Sequence, residues 1–283
     1  MTISRRLIHS ALLCIIAVTL TAGEALAHEF WISPSTYSPA ANGLVRVSLF
    51  HGERFAGDVV GRNDPMIKRF EYRLGGTVAD VRGMHGATTG FMRPAGVGHA
   101  VIVYETEEYI HLLPAEKFEA YLLEEGLDEI RERRAALGES GTEGREAYVR
   151  CAKSLLTVGD AGPFTGETEA VGLPLEIVIE RIENSADGVL EARLLFEGEP
   201  LAGRRVVATS ENNPGALVEL EADALGMVRF VPDEGGPWIL TALHMERVTD
   251  RDDIDWKSYW ASTTFAVPER MQAGEGTHLG GGA

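Results

Sequence analysis

Between residues 174 and 267 the chain has no room for a long helix. Short apolar, β-prone runs at 175–182, 189–196, 204–210, 216–220, 227–231, 238–244 and 260–267 are separated by Gly, Pro, Asn and Asp. Glycine and proline break helices and supply turns, so this spacing predicts a β-sandwich over 171–268. The first half is also largely extended. Residues 44–49 alternate apolar and polar after the turn signal Asn42-Gly43, residues 70–74 alternate and stop at Gly75-Gly76, and 99–104 is a continuous apolar run. Alternation of period two is the mark of a half-buried strand.

The period changes at Pro114. Phe118, Tyr121, Leu122, Leu127 and Ile130 recur at helical spacing, with Glu116 placed to favour a first turn. After the break at Gly138-Glu139-Ser140-Gly141, Tyr148, Cys151, Ala152, Leu155 and Leu156 form a second stripe. The expectation is a mainly β protein of two β-sandwich-like domains. The first, 28–170, carries a helical hairpin at 114–156, and the second spans 171–268. Residues 269–283, glycine-rich and including His278, are expected to be a disordered tail.

Residues 1–27 read as an address. Arg5 and Arg6 precede an apolar run at 7–20, followed by the small-x-small site Ala25-Leu26-Ala27. This is the pattern of a cleaved secretory signal peptide and implies the periplasm. No later stretch is long and apolar enough for a spanning helix, so no direct membrane anchor is expected. Cleavage would leave Cys151 as the single cysteine, on an apolar stripe, which excludes an internal disulfide, iron–sulfur clusters and Cys-rich zinc sites. With 26 Lys+Arg against 43 Asp+Glu, the net charge of -17 argues against nucleic acid as a partner.

Cleavage after Ala27 would make His28 the first residue. Its α-amine, titrating near ~7.7–8.0, and its Nδ1 could chelate one metal in a six-membered ring. Amine and imidazole nitrogens suit nickel, copper and zinc. His51 and His244, each at the end of a β-prone run, complete the candidate metal set His28, His51 and His244, with His85, His99 and His111 as reserves. Met84 and Met245 adjoin histidines and raise copper as a rival. The acidic run Asp250, Asp252, Asp253 and Asp255 lacks the glycine-centred loop of a calcium-binding EF-hand and reads as a solvated loop. No Gly-x-Ser-x-Gly, His-Glu-x-x-His or dinucleotide-binding pattern is present, so no enzyme is expected. An exported metalloenzyme with an amino-terminal histidine, and a metal-free sandwich binding proteins or glycans, remain alternatives.

Several blocks resemble a family of exported bacterial proteins known as a domain of unknown function or nickel-uptake transporter family. The blocks are His28-Glu29-Phe30-Trp31, His51-Gly52-Glu53, 116–122, 124–128, Lys153-Ser154-Leu155-Leu156, 172–176 and 260–265. Relatives often carry Asp where this chain has Glu29. The resemblance implies a periplasmic accessory component for nickel or cobalt uptake, working beside a transporter or outer-membrane receptor. It also implies an immunoglobulin- or transthyretin-like carboxy-terminal sandwich.

Overall fold

A computed structural model describes residues 29–162, 164, 170–183 and 188–268. The expected leader 1–27, His28, the expected tail 269–283 with His278, residues 184–187, and positions 163 and 165–169 near the expected domain boundary lie outside the described residues.

The first half supplies β1 (Glu29–Pro34), β2 (Val45–Glu53), β3 (Ala56–Val60), β4 (Ile67–Leu74), β5 (Thr77–Asp80), β6 (Thr89–Met92), β7 (Gly98–Thr106) and β8 (Tyr109–Leu113). Helices α1 (Ala115–Glu124) and α2 (Asp128–Leu137) and the long strand β9 (Gly144–Val158) follow. The second half supplies β10 (Leu175–Ile182), β11 (Leu190–Phe196), β12 (Glu199–Pro200), β13 (Arg205–Ser210), β14 (Leu217–Glu221), β15 (Met227–Phe230), β16 (Gly236–Arg247) and β17 (Trp256–Val267). The chain is mainly β with two short helices. Among the described residues no helix is long and apolar enough to cross a membrane.

Three layers result. The central sheet runs β14-β13-β16-β17-β9-β7-β4-β5, with β8 also on β9. It joins strands of both halves through β17 and β9, which pair in parallel from Trp256↔Glu146 to Thr264↔Ser154. A sheet of β1, β2, β3 and β6 covers one face, packing Ile32, Val47 and Leu49 on Ile102, Ala152 and Leu156. A sheet of β10, β11, β12 and β15 covers the other, packing Ile177, Leu190 and Leu194 on Val103, Cys151 and Leu240.

The helical hairpin is shorter than 114–156. It ends at Leu137, where Gly138 takes the left-handed conformation (φ 72°) and its N–H returns to Ala135 O, a common helix stop. Residues 144–158 are strand β9. The stripe read as helical divides between the two sheet faces: Cys151 and Leu155 enter one core, Ala152 and Leu156 the other. A strand buried on both faces loses the period-two alternation and then cannot be told from a buried helix by pattern. The two real helices are clamped by Arg134, 0% exposed. It reaches Glu119 (2.8 Å), Glu139 O (2.7 Å) and Thr142 O (2.9 Å) and lies over the Phe118 ring.

Candidate functional site

The described histidines are dispersed. His51 is paired in register with Phe30 across β1 and β2 and is half-buried. His244 is on β16 opposite Tyr259, 8% exposed, its ring edge-on to Phe196 at 4.5 Å. Its neighbours Ala242 and Tyr259 belong to the core under β10–β12, whereas Leu243 and Met245 point to the helices. His244 therefore faces one side of the central sheet, and β1 with β2 covers the other. Burial, reinforced by Arg204, lowers the His244 pKa to about 4, and its Nδ1 meets no hydrogen-bond partner. The expected meeting of His51 and His244 is not what the fold produces, because strand alternation aims them apart. His28 lies outside the described residues.

The reserves are also separate. His85 Nδ1 accepts the Asp64 N–H at 3.2 Å, His99 stands edge-on to Phe164, and His111 lies against Tyr148. Met84 is exposed and Met245 is in the core. In the acidic loop, Asp253 is held by Arg251 and Asp255 by Arg145 in a two-pronged pair (2.7 Å each). Cys151 is buried, and burial pushes its thiol up to about 12. Among the described residues no three His, Cys, Asp or Glu side chains are grouped to hold a metal ion.

The chemistry gathers elsewhere, in a cleft of about 180 Å³ at the amino-terminal end of β1. Three elements build it. The β2–β3 hairpin turns on Arg54 and Phe55, both with positive φ (52° and 63°), the twist a two-residue hairpin needs. Non-glycine residues there cost about 1–2 kcal/mol each. The Glu29 carboxylate offsets part of this by accepting the Arg54 N–H at 2.9 Å, and Trp31 packs on Phe55. The α1–α2 connection forms the second wall. Gly126 turns it with φ 68°, Leu127 is buried, and Arg205 donates to Glu124 O at 3.1 Å. The Arg204–Glu129 ion pair ties the same wall to the start of β13. Phe30 and Trp260 line the third side, and Thr241 on β16 reaches Glu29 at 3.5 Å.

Carboxylates dominate this cleft: Glu29, Glu53, Glu124, Glu125 and Glu129 line it. Burial raises the Glu125 pKa to about 7; Arg205 opposes the rise, and Glu29, Glu124 and Glu53 add to it. Burial also raises Glu29, against the N–H groups of Arg54 and Phe55. Three guanidinium groups, Arg54, Arg204 and Arg205, share the lining and offset only part of this acidity, so the cleft stays short of positive charge and gains from admitting a cation. Sequence reasoning passed over Glu29 and Glu125 because glutamate is abundant here and neither belongs to a metal-ligand spacing.

The family described as "Domain of unknown function (DUF4198)" matches residues 25–246. No curated protein matches the chain. Among solved structures, the D0-D1 domain of intimin is 12% identical, with 84% of this chain and 97% of that chain covered and a TM-score of 0.22. A tetra-tandem repeat from the extending region of a large adhesion protein is 11% identical, covers 84% of this chain and 49% of that one, and has a TM-score of 0.19.

Proposed function

The chain belongs to the DUF4198 family, and on that premise we propose that it is an exported protein that binds a divalent transition metal and assists nickel or cobalt uptake. One observation carries the reading: the carboxylate-lined cleft opens at Glu29, the residue that follows His28 in the chain. If the leader is removed after Ala27, the new α-amine and the His28 imidazole are covalently tied to the rim of a cavity already short of positive charge. His51, two strand positions from Glu53 and across from Phe30, is the histidine closest in register to that rim. His244 is left out, because its ring packs on the far face of the central sheet.

In this reading nitrogen ligands come from His28, with His51 in support, and the glutamates add charge rather than a closed cage. A nitrogen-led, carboxylate-assisted site suits nickel and cobalt, and copper competes for it on raw affinity. Such a site loads at neutral pH and releases as its amine and imidazole take up protons.

The test is calorimetric titration of protein that begins at His28 with Ni²⁺, Co²⁺ and Cu²⁺, beside a form with Met added before His28 and the His51→Ala variant. One bound ion per chain is expected, with affinity falling at least tenfold when the α-amine is moved away by Met. Equal affinity and stoichiometry in the two forms would remove His28 from the site. No binding of any of the three ions would remove the function.

A further inference from the structure

Residues 29–104 hold eight Lys and Arg against six Asp and Glu, whereas the whole chain holds 26 against 43. The acid excess therefore belongs to the later part of the chain. On β2 the positions Val45, Val47 and Leu49 fill the core, so Arg46, Ser48 and Phe50 stand on the outer face of the sheet. Arg46 is opposite Phe91 of β6. Phe91 is in turn opposite Arg82, with which it exchanges backbone hydrogen bonds of 2.9 and 2.7 Å. Partners in register project to one side. An aromatic ring, 42% exposed, thus stands between two exposed guanidinium groups. Leu44 and Arg93, each two residues along from this row, are exposed and extend the alternation, and Met84 is exposed in the turn just after Arg82. Ser48 with Thr89, and Phe50 with Val59, continue the face without a carboxylate among them.

The neighbouring cations are neutralised. Arg62 is held by Asp64, Lys68 and Arg69 by Glu105, and Arg73 by Glu71. Among the described residues no ion pair reaches Arg46, Arg82 or Arg93, and the last donates only to Asn42 O at 3.2 Å. Bare guanidinium groups call for anions, and the apolar tips between them gain by leaving water. One environment meets both demands on a plane: lipid phosphates at the surface of a bilayer and acyl chains just beneath.

We propose that this outer face docks on the anionic phospholipid headgroups of a bilayer, with Arg46, Arg82 and Arg93 binding lipid phosphates while Leu44, Met84 and Phe91 dip to the base of the headgroup layer. Such contact is reversible adsorption and needs no spanning helix. It draws on export and not on metal, so it stands whether or not the cleft binds an ion.

The net charge of -17 does not forbid the contact. The patch is at the start of β2, and the acidic cleft is at its end. Arg46 is seven steps along the strand from Glu53, about 23 Å at roughly 3.3 Å per residue. Exposed charges more than about 10 Å apart are largely screened at about 0.1 M salt. The exposed apolar tips cluster at the patch, so that end leads into the bilayer and the acids of the cleft trail.

Sedimentation with vesicles tests this, using protein that begins at His28 so that the apolar run 7–20 carries none of the binding. In about 0.1 M salt, vesicles of phosphatidylglycerol mixed with phosphatidylcholine should pull the protein down, and vesicles of phosphatidylcholine alone should not. The double variant Arg46→Glu, Arg82→Glu should bind about tenfold more weakly or worse. The double variant Lys117→Glu, Arg133→Glu makes the same change of net charge at exposed helix positions and should bind as the wild type does. Equal loss in both would show attraction by net charge alone and overturn the proposal. So would sedimentation with neither vesicle, or equally with both. If the Arg46, Arg82 variant does not fold, NMR of the wild type with a spin-labelled lipid decides. The Met84 methyl should broaden before those of Leu123, exposed on α1, and the reverse order overturns the proposal. Self-association of the wild type without vesicle binding, abolished by the same two reversals, would overturn it in favour of a second copy. Failure to bind Ni²⁺, Co²⁺ and Cu²⁺ would sink the metal reading and leave this result standing.

Discussion

Lys153 of β9 and Glu176 of β10 form an ion pair 2.7 Å long whose side chains are 4% and 2% exposed. Glu176 also accepts the N–H groups of Val171 (2.7 Å), Gly172 (2.9 Å) and Leu173 (3.1 Å). Burial alone would raise its pKa, but Lys153 and these amides outweigh burial and lower it. The pair fastens the start of the second half to the central sheet. Removing one partner strands the other charge in the core, so Lys153→Met should cost about 3–5 kcal/mol in urea unfolding at pH 7. Because the folded pKa of Glu176 is depressed, its stabilisation is present above the ordinary carboxylate range and fades as pH falls through the folded value. The Lys153→Met penalty should therefore shrink in acid. A penalty independent of pH would contradict this account.

Glu125→Gln should act in the opposite sense. The carboxyl, raised to about 7, contributes stability when protonated and loses it as pH rises through 7. Gln has no charge to lose, so the variant should gain about 1–2 kcal/mol at pH 8, with allowance for partial exposure, and little at pH 5. Thermal melts of both proteins at the two pH values read this directly. A destabilised variant at pH 8 would mean that Arg205 compensates Glu125 in full.

Gly144→Ala should unseat the helical pair. A Cβ at this first residue of β9 would lie 2.2 Å from Phe118 Cγ, inside a core that also holds Tyr121 and Leu122. Overpacking of this kind costs about 1–3 kcal/mol. The melting temperature should fall, and Phe118→Leu should restore part of it when combined. No recovery in the double variant would place the cost in the backbone instead.

The Cys151 thiol should be inert to a disulfide reagent in native buffer at pH 8 and should titrate as one group in denaturant. Its pKa, pushed up to about 12 by burial, and its place in the core under β10–β12 leave almost no accessible thiolate. Labelling of the native protein within minutes would show that β9 opens on that timescale.

Where one face of an element meets water, the sequence announced it. The alternation at 44–49 became β2, the Pro114 signal became α1, and the seven runs after 174 became strands with small shifts of boundary. Where both faces are covered the signal divided: the short run of Val and Ile in β7 still read as extended, whereas the longer β9 with Cys151, Ala152, Leu155 and Leu156 passed for a helix. The candidate site divides along the same line. His51 was legible as a strand-end residue at the rim, because a strand end beside glycine is a local feature. His244 was read by the same rule, but which face it presents depends on its pairing with β17, which no local pattern encodes. Glu125 owes its raised pKa first to burial and then to Glu29, Glu124 and Glu53, and the burial and the approach of Glu29 and Glu53 are created only by folding.

The parallel seam between β17 and β9 also sets an order in time. Ser258 and Glu146 bond across 112 positions of chain, and β17 is the last strand described. A chain emerging amino end first would therefore complete β4, β7 and β9 with one long edge of β9 bare. Unpaired edges of that kind are templates for pairing with other chains. Non-local closure of this range also makes folding slow. A polypeptide stopped before residue 256 would be an unfinished sheet rather than a shorter protein, dependent on a holding factor until its last strand arrives.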